Sequence, residues 1–109
     1  MTPVRRGHSG KVDATQAAIV KALRKAGCSV VSLAGVGDGC PDVLVGCELY
    51  EDCPEPFRSN FLMEIKDGSK PPSQRKLSPA EKIFHDNWKG QVATVGSVAE
   101  ALAVVGVEK

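Results

Sequence analysis

No run of apolar residues in this 109-residue chain approaches the roughly 18 needed to span a bilayer, and Met1 to Val12 lacks the hydrophobic stretch of a secretory signal. A soluble, cytoplasmic protein is therefore expected. The four cysteines, Cys28, Cys40, Cys47 and Cys53, contain no C-x-x-C pair and have no His at zinc-finger spacing. That argues against a structural zinc site and for reduced, partly buried thiols. Internal repeats and low-complexity segments are missing as well, which leaves one compact domain as the natural unit for this length. With two histidines, the chain supports neither a Ser-His-Asp nor a Cys-His arrangement, so covalent nucleophilic catalysis has no candidate. A net charge of +1 does not by itself announce a polyanionic partner.

What is present is an ordinary globular balance, 42% hydrophobic and 25% charged residues, with the charge unevenly spread. Residues 1 to 25 carry six basic groups and one acid, Asp13, whereas residues 38 to 64 carry seven acids and only Arg58. An acidic centre with basic ends suits a metal-dependent enzyme acting on a polyanion, because carboxylates hold cations while Lys and Arg hold phosphates. Segregated surface charge is the simpler reading of the same pattern.

The first 12 residues read as a flexible basic arm, followed by a single domain over 13–109. Apolar residues at helical spacing predict a helix from an Asp13 N-cap to a Gly27 stop. Strands follow at Ser29–Leu33, Asp42–Gly46 and Phe61–Lys66, with a surface loop between Glu48 and Glu55. Ser78-Pro79-Ala80-Glu81 is a capping box with Pro at the first helical position, and its helix is expected to bury Ile83, Phe84 and Trp88. A strand at Gln91–Gly96 and a helix capped by Ser97 and Glu100 close the chain. The expected class is α/β, a mixed sheet flanked by helices in the order α-β-β-β-α-β-α.

The chemically informative residues are Asp42 on one strand and Glu64 and Lys66 on the next. Period-two geometry points Glu64 and Lys66 the same way, and pairing of the strands can set Asp42 beside Glu64. Two carboxylates and one ammonium would then converge, a conflict in a plain core that a divalent cation resolves. Mg²⁺ in particular takes one or two carboxylates plus substrate phosphates. The cation could lower the pKa of water while Lys66 orients the nucleophile or stabilises charge on a phosphate, giving phosphodiester hydrolysis. A solvated Glu64–Lys66 ion pair on an exposed strand is the structural alternative.

Pro41-Asp42, 21 intervening residues and then Glu64-Ile65-Lys66 resemble the signature of the PD-(D/E)xK nuclease superfamily. The phrases Gly39 to Gly46, Met63 to Gly68 and Leu77 to Glu81, with Phe84-His85 and Trp88 after them, are similar to small phage-type nucleases related to VRR-NUC and Holliday junction resolvase-like domains. The resemblance implies a restriction-endonuclease-like fold and a nuclease dependent on Mg²⁺ or Mn²⁺. Asp42 and Glu64 would be metal ligands and Lys66 the catalytic assistant of the attacking water. It also implies a supporting acid or Gln from the first helix, for which Asp13 and Gln16 are candidates. A further supporting Gln is expected after the E-x-K strand, where this chain offers Glu81, with Gln74 upstream.

Lys70, Arg75 and Lys76 lie in an acid-free loop after that strand and could track a phosphate backbone, with Arg5, Arg6 and Lys11 as a second contact. Solubilising charge is the alternative for both. Neither patch carries base-reading logic, so DNA cleavage selective for branched structure is favoured over sequence-specific cleavage. Two symmetric cuts at a junction imply a C₂ homodimer. Gly35-x-Gly37-x-Gly39 runs into Pro41 and a strand where a dinucleotide fingerprint needs a helix, so it reads as a turn bringing backbone near the metal site. His85 and Trp88 read as structural residues. A non-catalytic nucleic-acid-binding or protein-interaction domain retaining the nuclease fold is the alternative function.

Overall fold

The computed structural model describes residues 10–49 and 57–106, with the side chains of residues 10–13 and 49 outside that set. Helix α1 (Gly10–Lys25) buries Ile19 and Leu23 completely, one turn apart on its inner face. It ends in a Schellman motif. Gly27 takes φ +100°, Cys28 N–H donates to Leu23 O and Gly27 N–H donates to Arg24 O. The start differs from expectation: the helix begins at Gly10, so Asp13 falls within its first turn rather than capping it, residues 10–12 of the expected arm are helical, and residues 1–9 of that arm lie outside the described residues.

Four strands follow, β1 (Ser29–Ser32), β2 (Val43–Leu49), β3 (Phe57–Ile65) and, after helix α2 (Pro79–Asn87), β4 (Val92–Val95). Helix α3 (Val98–Val104) closes the described chain, giving the expected order α-β-β-β-α-β-α. The sheet runs β1-β2-β3-β4, antiparallel across the first two pairs and parallel between β3 and β4, so α2 is the crossover that parallel pairing requires. β2 and β3 are longer than the alternation of apolar residues suggests. Their ladder continues through Glu48↔Arg58, where a cross-strand ion pair at 3.0 Å supports polar residues within the sheet.

Period-two alternation sends Val43, Val45 and Cys47 of β2 and Phe61, Met63 and Ile65 of β3 to one face, where they pack with Val30, Val95 and helices α1 and α3. The opposite face carries Leu44, Leu62 and Glu64, and it is not a solvated charged face. Leu62 and Glu64 are 7% and 4% exposed. Helix α2 begins with the complete expected capping box, Ser78 and Glu81 each accepting from the other's backbone N–H. Its apolar residues do not enter the core as expected. Ile83 is 63% and Trp88 46% exposed, while half-buried Phe84 stacks on Trp88 with centroids 5.1 Å apart. Ser97 caps α3 from Glu100 N–H, but the Glu100 carboxylate accepts from Gly96 N–H instead of closing the box on Ser97.

Cys28, Cys40 and Cys47 are free thiols, as expected, and Cys53 lies outside the described residues. Among the described residues no helix is long and apolar enough to cross a membrane.

The β1–β2 connection runs through Gly35, Gly37, Asp38 and Gly39, all at positive φ. Gly39 differs from the others because a Cβ there would collide with the backbone of Ala80 in the first turn of α2. This contact pins the turn before Asp42 to the helix that carries Glu81. Gly37→Ala, with open space around it, is expected to lose about 1–2 kcal/mol from backbone strain alone, whereas Gly39→Ala should lose about 2–5 kcal/mol from strain and overlap together. Denaturant unfolding of the two variants measures the difference; equal losses would contradict the packing role.

Candidate active site

Asp42 sits at the entrance to β2, directly after the fully buried Pro41. Its backbone is held from both sides: Asp42 N–H donates to Met63 O at 3.0 Å, and Leu33 N–H donates to Asp42 O at 2.9 Å. Its carboxylate is fixed too, since Oδ2 accepts from Ile65 N–H at 2.7 Å. The Val43↔Met63 register sets Asp42 opposite Glu64, on the sheet face that α2 covers.

Glu64 is the one charged residue among the buried side chains described. Its Oε2 lies 3.6 Å from Lys66 Nζ, while Oε1 is buried and receives no hydrogen bond from an N–H or hydroxyl donor. Burial first, then the charges of Asp42 and Glu81 and a hydrogen bond shared with Asp42, push this carboxyl from an ordinary 4.5 up to about 8, against the opposing pull of Lys66. Lys66 Nζ donates to Glu81 Oε1 at 2.9 Å. Burial pulls the Lys66 ammonium down, but Glu81, Glu64 and Asp42 together outweigh it and hold the group above its usual range. Glu81 moves the other way. Burial raises it, but the Ser78 N–H and Lys66 dominate and keep it below the usual carboxylate range.

The four side chains therefore form one cluster: Asp42 and Glu64 on adjacent strands, Lys66 just past the end of β3, and Glu81 from the first turn of α2. Of the supporting candidates, Glu81 is brought into the cluster. Gln16 instead lines a cavity of about 550 Å³ between α1 and β1 with Lys21, Arg24 and Val43, and Asp42, Glu64 and Lys66 do not line it. Asp13 has its side chain outside the described residues. Gln74 lies in the short 3-10 turn Pro72–Gln74.

Of the basic candidates, Lys76 is exposed, whereas Lys70 and Arg75 are half-buried, and Arg75 Nε donates to Lys70 O at 2.7 Å. Part of that loop's charge thus shapes the loop. Arg5 and Arg6 lie outside the described residues, as does the side chain of Lys11. His85 is half-buried, its ring edge-on to Phe84 and its Nε2 buried without a partner.

Two features escaped the sequence reading. Glu81 does double duty: the oxygen that closes the capping box on Ser78 N–H also anchors Lys66. Cys40 also belongs to the neighbourhood, its thiol raised by burial first and then by Glu64 and Asp42. Its position two residues before Asp42 was the available signal.

The donor set suits a hard divalent cation in one respect and limits it in another. Asp42 and Glu64 offer oxygen ligands, and the buried Glu64 Oε1, which receives no other donor, would be satisfied by a cation once the carboxyl ionises. Among the described residues, however, no group of three or more His, Cys, Asp and Glu is arranged to hold a metal, and Glu81 is committed to Lys66 and Ser78. The protein would supply two ligands and leave the rest to water and substrate, the usual situation for Mg²⁺. Comparison with protein-family models, with curated proteins and with solved structures finds no match to this chain.

A carboxyl whose folded-state pKa lies above its unfolded value binds an extra proton in the folded state, so stability falls as pH rises between the two values. In EDTA, the melting temperature should decline from pH 5 to pH 8.5, and Glu64→Gln should flatten that decline. Thermal unfolding followed by circular dichroism checks this; parallel profiles for the two proteins would contradict the buried, proton-hungry Glu64.

Proposed function

We propose that this chain is a metal-dependent endonuclease that hydrolyses DNA phosphodiester bonds, with Asp42 and Glu64 as ligands and Lys66 as the catalytic cation. The observation that carries the reading is the convergence of these three side chains around a buried carboxyl. A bound Mg²⁺ or Mn²⁺ supplies Lewis acidity toward water and phosphate.

The chain's own residues do the rest. The Ile65 amide holds Asp42 in one orientation, so its second oxygen is presented without rotamer searching. Glu64 would ionise to hold such a cation, because the cost of ionisation there comes from burial and from Asp42 and Glu81. Lys66 stays protonated at neutral pH and serves as an ammonium donor toward the phosphate rather than as a base. Glu81 positions it.

The resemblance to phage-type resolvase-like nucleases supports branched DNA as the substrate, and two symmetric cuts at a junction call for a C₂ homodimer, acting in the cytoplasm. The rival reading, a nucleic-acid-binding or protein-interaction domain that retains the fold without cleavage, draws on the closed Lys66–Glu81 ion pair.

Cleavage of supercoiled, linear, single-stranded and four-way-junction DNA with Mg²⁺, Mn²⁺ or EDTA separates them. The nuclease reading expects product only with metal, with preference for the junction. Asp42→Asn, which keeps an acceptor for Ile65 N–H, should lower the rate by on the order of 10²–10³-fold with folding intact. Glu81→Gln should cost about 10- to 100-fold through loss of Lys66 positioning. Metal-independent product, or full activity in Asp42→Asn, would sink the assignment.

A further inference from the structure

Along β2 and β3, the residue pair next to Asp42 and Glu64 on the same sheet face is Leu44↔Leu62, two positions away on each strand. That step is about 7 Å. The two leucines, with Leu33, Phe84 and Trp88, line a cavity of about 440 Å³ under α2, within the size range of small-ligand pockets. Its lining is almost wholly apolar, relieved by the amides of Asn60 and Gln91, and Gln91 is itself fixed by donating to Asn60 O at 2.7 Å.

Cys40, which also lines the cavity, lies two residues before Asp42 in the chain. Trp88 stands at the slot with its ring stacked on Phe84 at an interplanar angle of 14°, yet it remains 46% exposed. A large aromatic stacked on a second ring and still open to solvent contributes little to a core. Its exposed part is surface on which another flat ring can stack.

We propose that this slot receives an unpaired nucleobase of the strand being cut, stacked on Trp88, while the adjoining phosphate lies at Asp42 and Glu64. The proposal rests on the nuclease reading and narrows its substrate to DNA with single-stranded character next to the cut. Continuity favours a base over a second copy of the chain as occupant. Any phosphate at the carboxylates carries a nucleoside on either side, and Leu44 and Leu62, which line the slot, form the next residue pair to Asp42 and Glu64 on the same face. Base–aromatic stacking also tolerates any sequence, in keeping with the lack of base-reading residues.

Trp88 is the only tryptophan in the chain, so intrinsic fluorescence reports on the slot directly. The full chain, in EDTA, is titrated with a ten-residue oligothymidylate and with an abasic oligonucleotide of the same length and charge. Oligothymidylate should quench Trp88 and bind more tightly, whereas the abasic strand should leave the emission unchanged. Trp88→Ala, followed by anisotropy of labelled strands, should bind oligothymidylate about 5- to 100-fold more weakly and the abasic strand as before. Trp88→Phe should recover part of the loss.

Equal binding of the two strands by the unmodified chain, or no quenching, would overturn the slot even should Trp88→Ala fail to fold. Sedimentation showing a dimer that Trp88→Ala dissociates, with no base dependence in binding, would also overturn it and give the face to a second copy. Base-dependent quenching without metal-dependent cleavage would remove the nuclease reading and leave base binding standing. Cleavage without base dependence would do the reverse.

Discussion

The Glu64 carboxyl is carried into the fold beside Asp42, and the arrangement around it is what makes two acids tolerable there. Like charges on facing strands in a dry environment cannot both ionise without compensation. The protein compensates in two ways. Lys66 places an ammonium 3.6 Å from Glu64, and Glu64 itself prefers to keep its proton, which is why its pKa rises to about 8. No N–H or hydroxyl donor reaches its Oε1. The pocket is therefore stable when protonated, and in the proposed nuclease a cation would displace that proton.

Much of the scaffold serves to hold this conflict in place. Pro41 is fully buried, Ile65 N–H grips the Asp42 carboxylate, and Gly39 lets the preceding turn press against the first turn of α2. The same turn of α2 delivers Glu81, which is fixed by Ser78 N–H before it reaches Lys66. A helix-capping interaction is thereby coupled to the position of a charged group in the site. On the far side of the sheet, Ile19, Leu23, Met63 and Val105 form a dry core that keeps the strands in register.

The legible features were those decided locally. Ser78 and Glu81 announce a helix start by spacing alone, and Gly27 announces a helix end. Glu64 and Lys66 are placed on one face by the two-residue period of a strand. Features decided across the fold were harder to read. The spacing of Ile83, Phe84 and Trp88 describes an apolar stripe but not what lies opposite it, and α2 meets a cavity there instead of a filled core. The extension of β2 and β3 through Glu48 and Arg58 depends on a cross-strand ion pair that alternation of apolar residues does not reveal. Nor does any local signal say that the capping residue Glu81 will meet Lys66, or that Gln16 will face a different cavity from Asp42.

The central claim is that positions 42 and 64 form a pocket in which a cation replaces a proton. Carboxyl ¹³C NMR of the glutamates across pH, with and without Mg²⁺, tests it most directly. The account predicts that Glu64 titrates near pH 8 in EDTA and shifts down by more than a unit when Mg²⁺ is added, with Asp42→Asn suppressing the shift. A Glu64 that titrates near 4.5 and ignores Mg²⁺ would contradict it.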